Sequence, residues 1–156
     1  MRLALWLWRA PLPGWLRALL MWTFNAKFVA TVAAVLLNEQ GEVLLFHHTY
    51  RRDFPWALPG GWLERGEDPE LAIAREIHEE AGFSVRILRP LWVGRDKFYP
   101  RLDIVFLGQV EDGVFQASNE VDEARYFPIN DMPPVGPGTL RLVQYAQELR
   151  KVKDFV

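Results

Sequence analysis

A chain of 156 residues, half of them apolar and 24% charged, is long enough to bury a sizeable core in one domain and has the composition of a soluble globular protein. It contains no cysteine, which excludes disulfides, cysteine-ligated zinc and thiol catalysis. A net charge of −2 argues against a general nucleic-acid binder, which is usually strongly basic, so no stable nucleic-acid complex is expected.

The charge is unevenly spread. Residues 1–26 hold Arg2, Arg9 and Arg17 and no acid, which leaves −5 for the remainder; four of the seven tryptophans, Trp6, Trp8, Trp15 and Trp22, lie in the same segment. The chain therefore divides into a basic, Trp-rich N-terminal segment (1–26) and a domain (27–156). The apolar run at residues 3–8 is too short for a membrane span of roughly 20 residues. With Arg9, Pro11, Pro13 and Gly14 behind it, it also makes a poor signal core. A cytoplasmic protein is expected. Residues 14–24 (GWLRALLMWTF) repeat Trp15, Leu19 and Trp22 at i, i+4 and i+7, an amphipathic helix. The favoured reading is packing on the domain or on a second subunit, as in a homodimer. Peripheral contact of residues 1–24 with a membrane surface and a substrate-covering or disordered arm are the alternatives.

Residues 27–37 (KFVATVAAVLL) and 42–48 (EVLLFHH) read as two strands joined by the turn Asn38-Glu39-Gln40-Gly41, a hairpin. His47 and His48 point to opposite faces of a strand and are not expected to share a metal. Residues 49–56 (TYRRDFPW) form a loop, followed by a short extended piece ending in Gly60 and Gly61. Residues 84–93 form a strand that Pro90 assigns to an edge or bulge. Residues 96–101 form a turn, 102–110 and 123–129 two more strands, and 132–138 (MPPVGPG) a helix-free linker. Thr139 caps a last amphipathic helix through about Val152, with Leu140, Val143, Ala146 and Leu149 on one stripe.

The stretch at residues 61–83 (GWLERGEDPELAIAREIHEEAGF) is the most informative. Asp68 at N-cap, Pro69 at N1 and Gly82 as stop predict a helix over residues 69–81. At 100° per residue Glu76, Glu79 and Glu80 share an arc of roughly 100°, while Ile73, Ala74, Ile77 and Ala81 face the core. Three carboxylates so placed repel one another. A hard divalent cation, Mg²⁺ with Mn²⁺ as substitute, removes that cost because it favours carboxylate and water oxygens. Arg75 can reach back to Glu67 and tie loop to helix. Gly60 and Gly61 let the backbone come close, so that a main-chain carbonyl can serve as a further ligand. The full spacing is Gly61, five residues, Glu67, seven residues, then Arg75-Glu76-Ile77-any-Glu79-Glu80-any-Gly82-Phe83. Average usage would match its fixed identities by chance at a rate of roughly one in a million, so a plain solvated acidic helix face is a poor account of it.

This stretch resembles the Nudix box at every defining position. The lead-in Leu58-Pro59-Gly60-Gly61 and the tail EVDEARYFPINDMP (residues 120–133) resemble the same family, and the likeness covers about residues 27–152. It implies an α/β fold, an α/β/α sandwich with a mixed β-sheet, to which the N-terminal amphipathic helix is added. It also implies hydrolysis of a nucleoside diphosphate linked to another moiety, such as ADP-ribose, a CDP-alcohol, a dinucleoside polyphosphate or a nucleoside triphosphate. On that resemblance Glu76, Glu79 and Glu80 are metal ligands with the carbonyl of Gly60, and Gly61, Glu67, Arg75 and Gly82 support the site. Glu120 is a further ligand or the general base, a role that Glu76 and Glu79 share as candidates. Among Tyr50, Phe54, Trp56, Phe98 and Tyr99, any ring could stack on a base, and Arg51 and Arg52 could touch phosphates. Tyr99-Pro100 offers both residue types that mark substrate subgroups, and selects neither. The competing reading is a catalytically idle module of this type that binds a nucleotide or a partner.

Overall fold

The computed structural model describes residues 12–24, 27–95 and 99–151. The tryptophans at 6 and 8, the aromatic Phe98 and the end of the last helix at Val152 lie outside these residues.

After helix α1 (Gly14–Phe24) the chain forms strands β1 (Val29–Leu36), β2 (Val43–His48), β3 (Trp56–Ala57) and β4 (Gly60–Trp62). Helix α2 (Pro69–Ala81), strands β5 (Ser84–Arg95), β6 (Arg101–Asp112) and β7 (Val121–Phe127), a 3₁₀ turn (Ile129–Asp131) and helix α3 (Pro137–Lys151) follow. One sheet is mixed, in the order β4-β1-β6-β5, with β1 parallel to β6 and the other neighbours antiparallel. The second, β3-β2-β7, is antiparallel throughout.

The helices cover opposite faces. On one side Val32, Ala34 and Leu36 of β1, Leu44 and Phe46 of β2 and Phe106 of β6 meet Ala72, Ile73, Ile77 and Ala81 of α2. On the other, Val35, Val43, Leu45, Val105 and Leu107 meet Val143 and Ala146 of α3. Successive residues of a strand point to opposite faces. The unbroken apolar runs of β1 and β2 are therefore what burial on both faces requires, and the result is the expected α/β/α sandwich.

Several expectations are corrected. The two strands around residues 38–41 do not form a hairpin. Only the isolated bridge Leu37–Val43 joins them, and each enters a different sheet. The turn there is real, closed by hydrogen bonds from Glu42 N to Asn38 Oδ1 at 2.9 Å and from Asn38 Nδ2 to Glu42 Oε2 at 2.7 Å, but the strands diverge after it to find other partners. Trp56 belongs to β3 rather than to a loop. Ala72, not Ala74, completes the buried face of α2. The last helix starts at Pro137, two residues before Thr139, because proline is well suited to a first turn. Leu140 lies on its exposed side. Pro90 does fall in an edge strand with register shifts on both sides of it, since it cannot donate to the ladder.

Helix α1 forms over the expected residues, Gly14–Phe24, without packing its stripe on the domain. The stripe expected to pack, Trp15, Leu19 and Trp22, is exposed, while Leu16, Arg17 and Leu20 are half-buried, and among the described residues none of α1 belongs to either core.

Candidate active site

Helix α2 has sharp ends. Asp68 accepts a hydrogen bond from Glu70 N at 2.9 Å, Pro69 takes the first position, and Gly82 closes the helix in the left-handed conformation at φ 75°. Four side chains buried on the sheet fix its rotation about its axis, and this rotation turns the carboxylates toward β4. Gly61 sits against Glu76: a Cβ there would collide with the Glu76 carboxyl group. A Cβ at Gly60 would meet the carbonyl of Val32 and the Cα of Ala33. The two glycines thus let β4 lie between β1 and the acidic side of α2.

Arg75 joins the loop to the helix. Its Nε donates to Glu67 Oε1 at 2.9 Å and its Nη2 to Glu67 Oε2 at 3.0 Å, a bidentate pair. Nη1 also donates to Glu76 Oε1 at 3.1 Å and Glu79 Oε2 at 3.0 Å, and Nη2 to the carbonyl of Trp62 at 3.3 Å. One guanidinium therefore orients both the loop acid and two helix acids. Its own pKa is raised, chiefly by the Glu67 hydrogen bonds, and the Glu67 carboxyl is held below its usual range by the same bonds.

Glu76, Glu79, Glu80 and Glu120 line one cavity of about 210 Å³ together with Ser118 and Asn119. Glu120 comes from the opposite wall, on the turn before β7, which side chains brace from both ends. Thr49 N donates to the Glu120 carbonyl at 2.9 Å, Thr49 Oγ1 donates to the Asn119 carbonyl at 2.9 Å, and Ser118 Oγ accepts from Val121 N at 3.1 Å. Glu80 is only 6% exposed, and its Oε2 has no hydrogen-bond partner. Burial pushes its pKa up to about 7, with repulsion from Glu76 and Glu120 adding to the rise; a Gly60 backbone hydrogen bond and the charge of Arg51 oppose it.

The donor set suits a hard divalent cation. It is all oxygen, it includes a buried carboxylate oxygen with nothing to bond, and its charges repel one another. Among the described residues no three acidic or histidine side chains already stand in a metal-ligand group. Arg75 holds one oxygen each of Glu76 and Glu79.

The aromatic candidates are more dispersed. Trp56 packs edge-on against His47 and Phe127, in the core on the α3 side. Phe54 and Tyr99 are exposed, as is Arg52, and none of them lines the cavity. Arg51 lies 5.8 Å from the Tyr50 ring centroid and is close enough to act on Glu80 and His48 electrostatically. Sequence reasoning missed Ser118, Asn119 and Thr49, whose roles come from tertiary contacts. It also missed the burial of His48, which is 1% exposed with neither ring nitrogen hydrogen-bonded to a side chain. Alternation along β2 was the available signal, since Leu44, Phe46 and His48 share one face.

A family model described as NUDIX domain matches residues 27–147. The chain is similar to the NAD-capped RNA hydrolase NudC of Vibrio parahaemolyticus, 32% identical over 108 residues, which cover 68% of this chain and 42% of that protein. It is also similar to the ADP-ribose pyrophosphatase of Methanocaldococcus jannaschii, 38% identical over 106 residues, which cover 63% of this chain and 61% of that protein. The chain thus spans less than two thirds of the length of either relative. A solved structure of an ADP-ribose pyrophosphatase from Streptococcus suis 89-1591 shares the fold with a TM-score of 0.70 at 20% identity, over 83% of this chain and 97% of that one. The matched region contains the whole glycine-loop-and-helix pattern and both sheets that carry it, and the chain belongs to the NUDIX family.

Proposed function

We propose that this protein is a hydrolase of the phosphoanhydride bond in a small nucleotide, a nucleoside diphosphate joined to another group, and that it requires Mg²⁺ or Mn²⁺. The observation that carries the reading is the cavity in which Glu80 is buried with an unbonded oxygen among Glu76, Glu79 and Glu120. The names of both curated relatives denote substrates that contain a nucleoside diphosphate, which supports the substrate class and leaves the attached group open.

Glu76, Glu79, Glu80 and the carbonyl of Gly60 would hold the cation, which supplies charge neutralisation of the diphosphate and acidification of a bound water. Glu120 is the best-placed proton acceptor. Arg75 already occupies one oxygen each of Glu76 and Glu79, whereas Glu120 faces them from a separately braced turn. Water adds to one phosphorus, the bridging P–O bond breaks, the water's proton passes to Glu120, and the leaving phosphate departs with the bridging oxygen. The products are a nucleoside monophosphate and a phosphorylated remainder. Arg75 and Glu67 position the helix acids, and Thr49 and Ser118 position Glu120.

The test is monophosphate release from ADP-ribose, dinucleoside polyphosphates, CDP-alcohols and nucleoside triphosphates, with Mg²⁺ and with Mn²⁺. Glu120→Gln should lower kcat by about 10²–10⁴-fold with little change in thermal stability. Glu79→Gln should raise the metal concentration needed for half-maximal rate. A wild type silent on the whole panel with both ions would sink the proposal, and tight nucleotide binding without turnover would favour an idle binding module.

A further inference from the structure

One side of the tryptophan-rich helix α1 is half-buried at Leu16, Arg17 and Leu20, and the other is exposed. Its Trp15, Leu19 and Trp22 are 69%, 50% and 64% exposed and fall on one side at i, i+4 and i+7. At those exposures two indoles and a leucine leave roughly 300–400 Å² of apolar surface on one side of one short helix. Scattered exposed apolar residues need no explanation, but an aligned stripe does. Lys27 Nζ lies 3.5 Å from the centroid of the Trp22 ring, so a cation sits at the margin of the stripe.

Charge distinguishes the partners that could cover it. Residues 1–38 contain Arg2, Arg9, Arg17 and Lys27 and not one Asp or Glu. In a two-fold contact the same patch meets itself, which would bring together two segments that carry only positive charge in their sequence. An anionic lipid surface supplies the missing negative charge at the depth where tryptophan is most at home, with the ring in apolar surroundings and the N–H at the wet boundary. Eleven helical residues rise about 16 Å, far less than a hydrocarbon core of about 30 Å. No helix of the described residues is long and apolar enough to cross a membrane, so the helix would lie in the interface plane.

We infer that α1 is an interfacial anchor that docks the catalytic domain on anionic membranes, with Trp15, Leu19 and Trp22 entering the headgroup boundary and Lys27 facing the lipid charge. The stripe is separate from the hydrolytic site: among the described residues α1 contributes to neither core and to no wall of the cavity.

The experiment is co-sedimentation of the full chain with vesicles of phosphatidylcholine alone and of equal phosphatidylcholine and phosphatidylserine, followed also by tryptophan emission. Binding should be seen with the anionic vesicles and little with the neutral ones, and should fall by tenfold or more in 0.5 M salt as the Debye length shrinks. Trp15→Ser with Trp22→Ser should lower binding at least tenfold, with the nucleotide turnover rate unchanged. Lys27→Gln should lower it roughly fivefold. Because α1 lies outside both cores, the variants should unfold at the wild-type temperature, which separates lost binding from lost folding. The inference is overturned if the chain fails to sediment with anionic vesicles or if the double variant binds as wild type does. It is also overturned if light scattering shows a concentration-dependent dimer that the double variant dissolves, since the stripe would then belong to a second copy of the chain.

Discussion

Helices α1 and α2 differ by two residues in length, and both carry large apolar side chains at helical spacing. Their fates are opposite. In α2, Ile73, Ile77 and Ala81 are wholly buried and the polar side builds a cavity; in α1, the two tryptophans of the stripe are largely exposed. The termini differ as well. Asp68 and Gly82 cap α2 at both ends, whereas the first turn of α1 has no acid and its last turn no base. Helical periodicity identifies a face and leaves its partner unspecified. What makes α2 part of the fold is agreement between its stripe, its caps and the sheet beneath it, whereas the Trp15, Leu19 and Trp22 stripe of α1 faces away from both cores.

The largest expected effect tests this difference in packing. Ile77→Ala should destabilise the protein by about 2–5 kcal/mol, because a deleted branch in a closed core leaves a cavity that relaxes only in part. Leu19→Ala on α1 should change stability by less than about 0.5 kcal/mol. Urea unfolding of the two variants makes the comparison. Equal losses would mean that α1 is integral to the domain after all.

The same contrast shows how much of the molecule could be read in advance. The α2 helix was legible to the residue, 69–81, because capping is local chemistry: Asp68, Pro69 and Gly82 decide the boundaries with no help from elsewhere. The Arg75–Glu67 pair was legible for a similar reason, since eight residues separate the partners. Strand pairing was not. The turn at Asn38–Gly41 looks the same whether its strands pair or diverge, and only the match of β1 to β6 and of β2 to β7, across some 70 residues of chain, decides it. Thr49 bracing the turn at Glu120 is the site's version of this problem, a contact spanning 71 residues. The burial of His48 depends on long-range pairing too, because β2 has no core face until β7 lies beside it.

The next expected effect belongs to α2 alone, since it carries an ionisable group into the interior. Burial raises Glu80 from 4.5 to about 7 and, with the charge of Arg51 next in importance, lowers His48 from 6.5 to about 4. As pH rises from 4.5 to 7, the unfolded chain loses the Glu80 proton first, so the folded state binds more protons and stability falls, by up to roughly 3 kcal/mol in all. As pH falls from 6.5 to 4, the unfolded chain takes up the His48 proton first, and stability again falls, by a similar amount. The two slopes oppose each other between about pH 4.5 and 6.5, so metal-free wild type should be nearly flat there. Glu80→Gln should unmask stability that rises with pH across that window, and His48→Gln stability that falls with it. Thermal unfolding in the presence of a chelator reads both. Removal of residues 12–24 should leave every profile unchanged in shape. Two single variants running parallel to wild type would show that neither group is linked to folding.

The smallest effect concerns the helix ends, and there the two helices should respond with opposite sign. Gly82 has φ +75°, and a Cβ on it would lie 3.1 Å from the carbonyl oxygen of Val114 and 3.2 Å from Cγ of Gln116. Gly82→Ala therefore meets both a left-handed backbone, which alanine resists, and a crowded wall, and should cost about 1–2 kcal/mol. At Gly14, the first residue of α1, an added Cβ meets nothing within 4 Å, and φ is not positive. Gly14→Ala should be neutral for the domain and, by restricting the unfolded segment, should raise the helicity of α1 slightly, with a gain of at most about 1 kcal/mol. Circular dichroism together with urea titration separates these outcomes, since the first variant should shift the unfolding midpoint and the second only the helical signal. The two glycines cannot be ranked by residue type or by position in the chain. One is crowded by Val114 and Gln116, and the other stands in open space at the start of a helix whose Trp15, Leu19 and Trp22 are exposed. If Gly14→Ala moved the midpoint as far as Gly82→Ala, α1 would have to unfold together with the domain, and its exposed stripe would need to be explained as part of the fold.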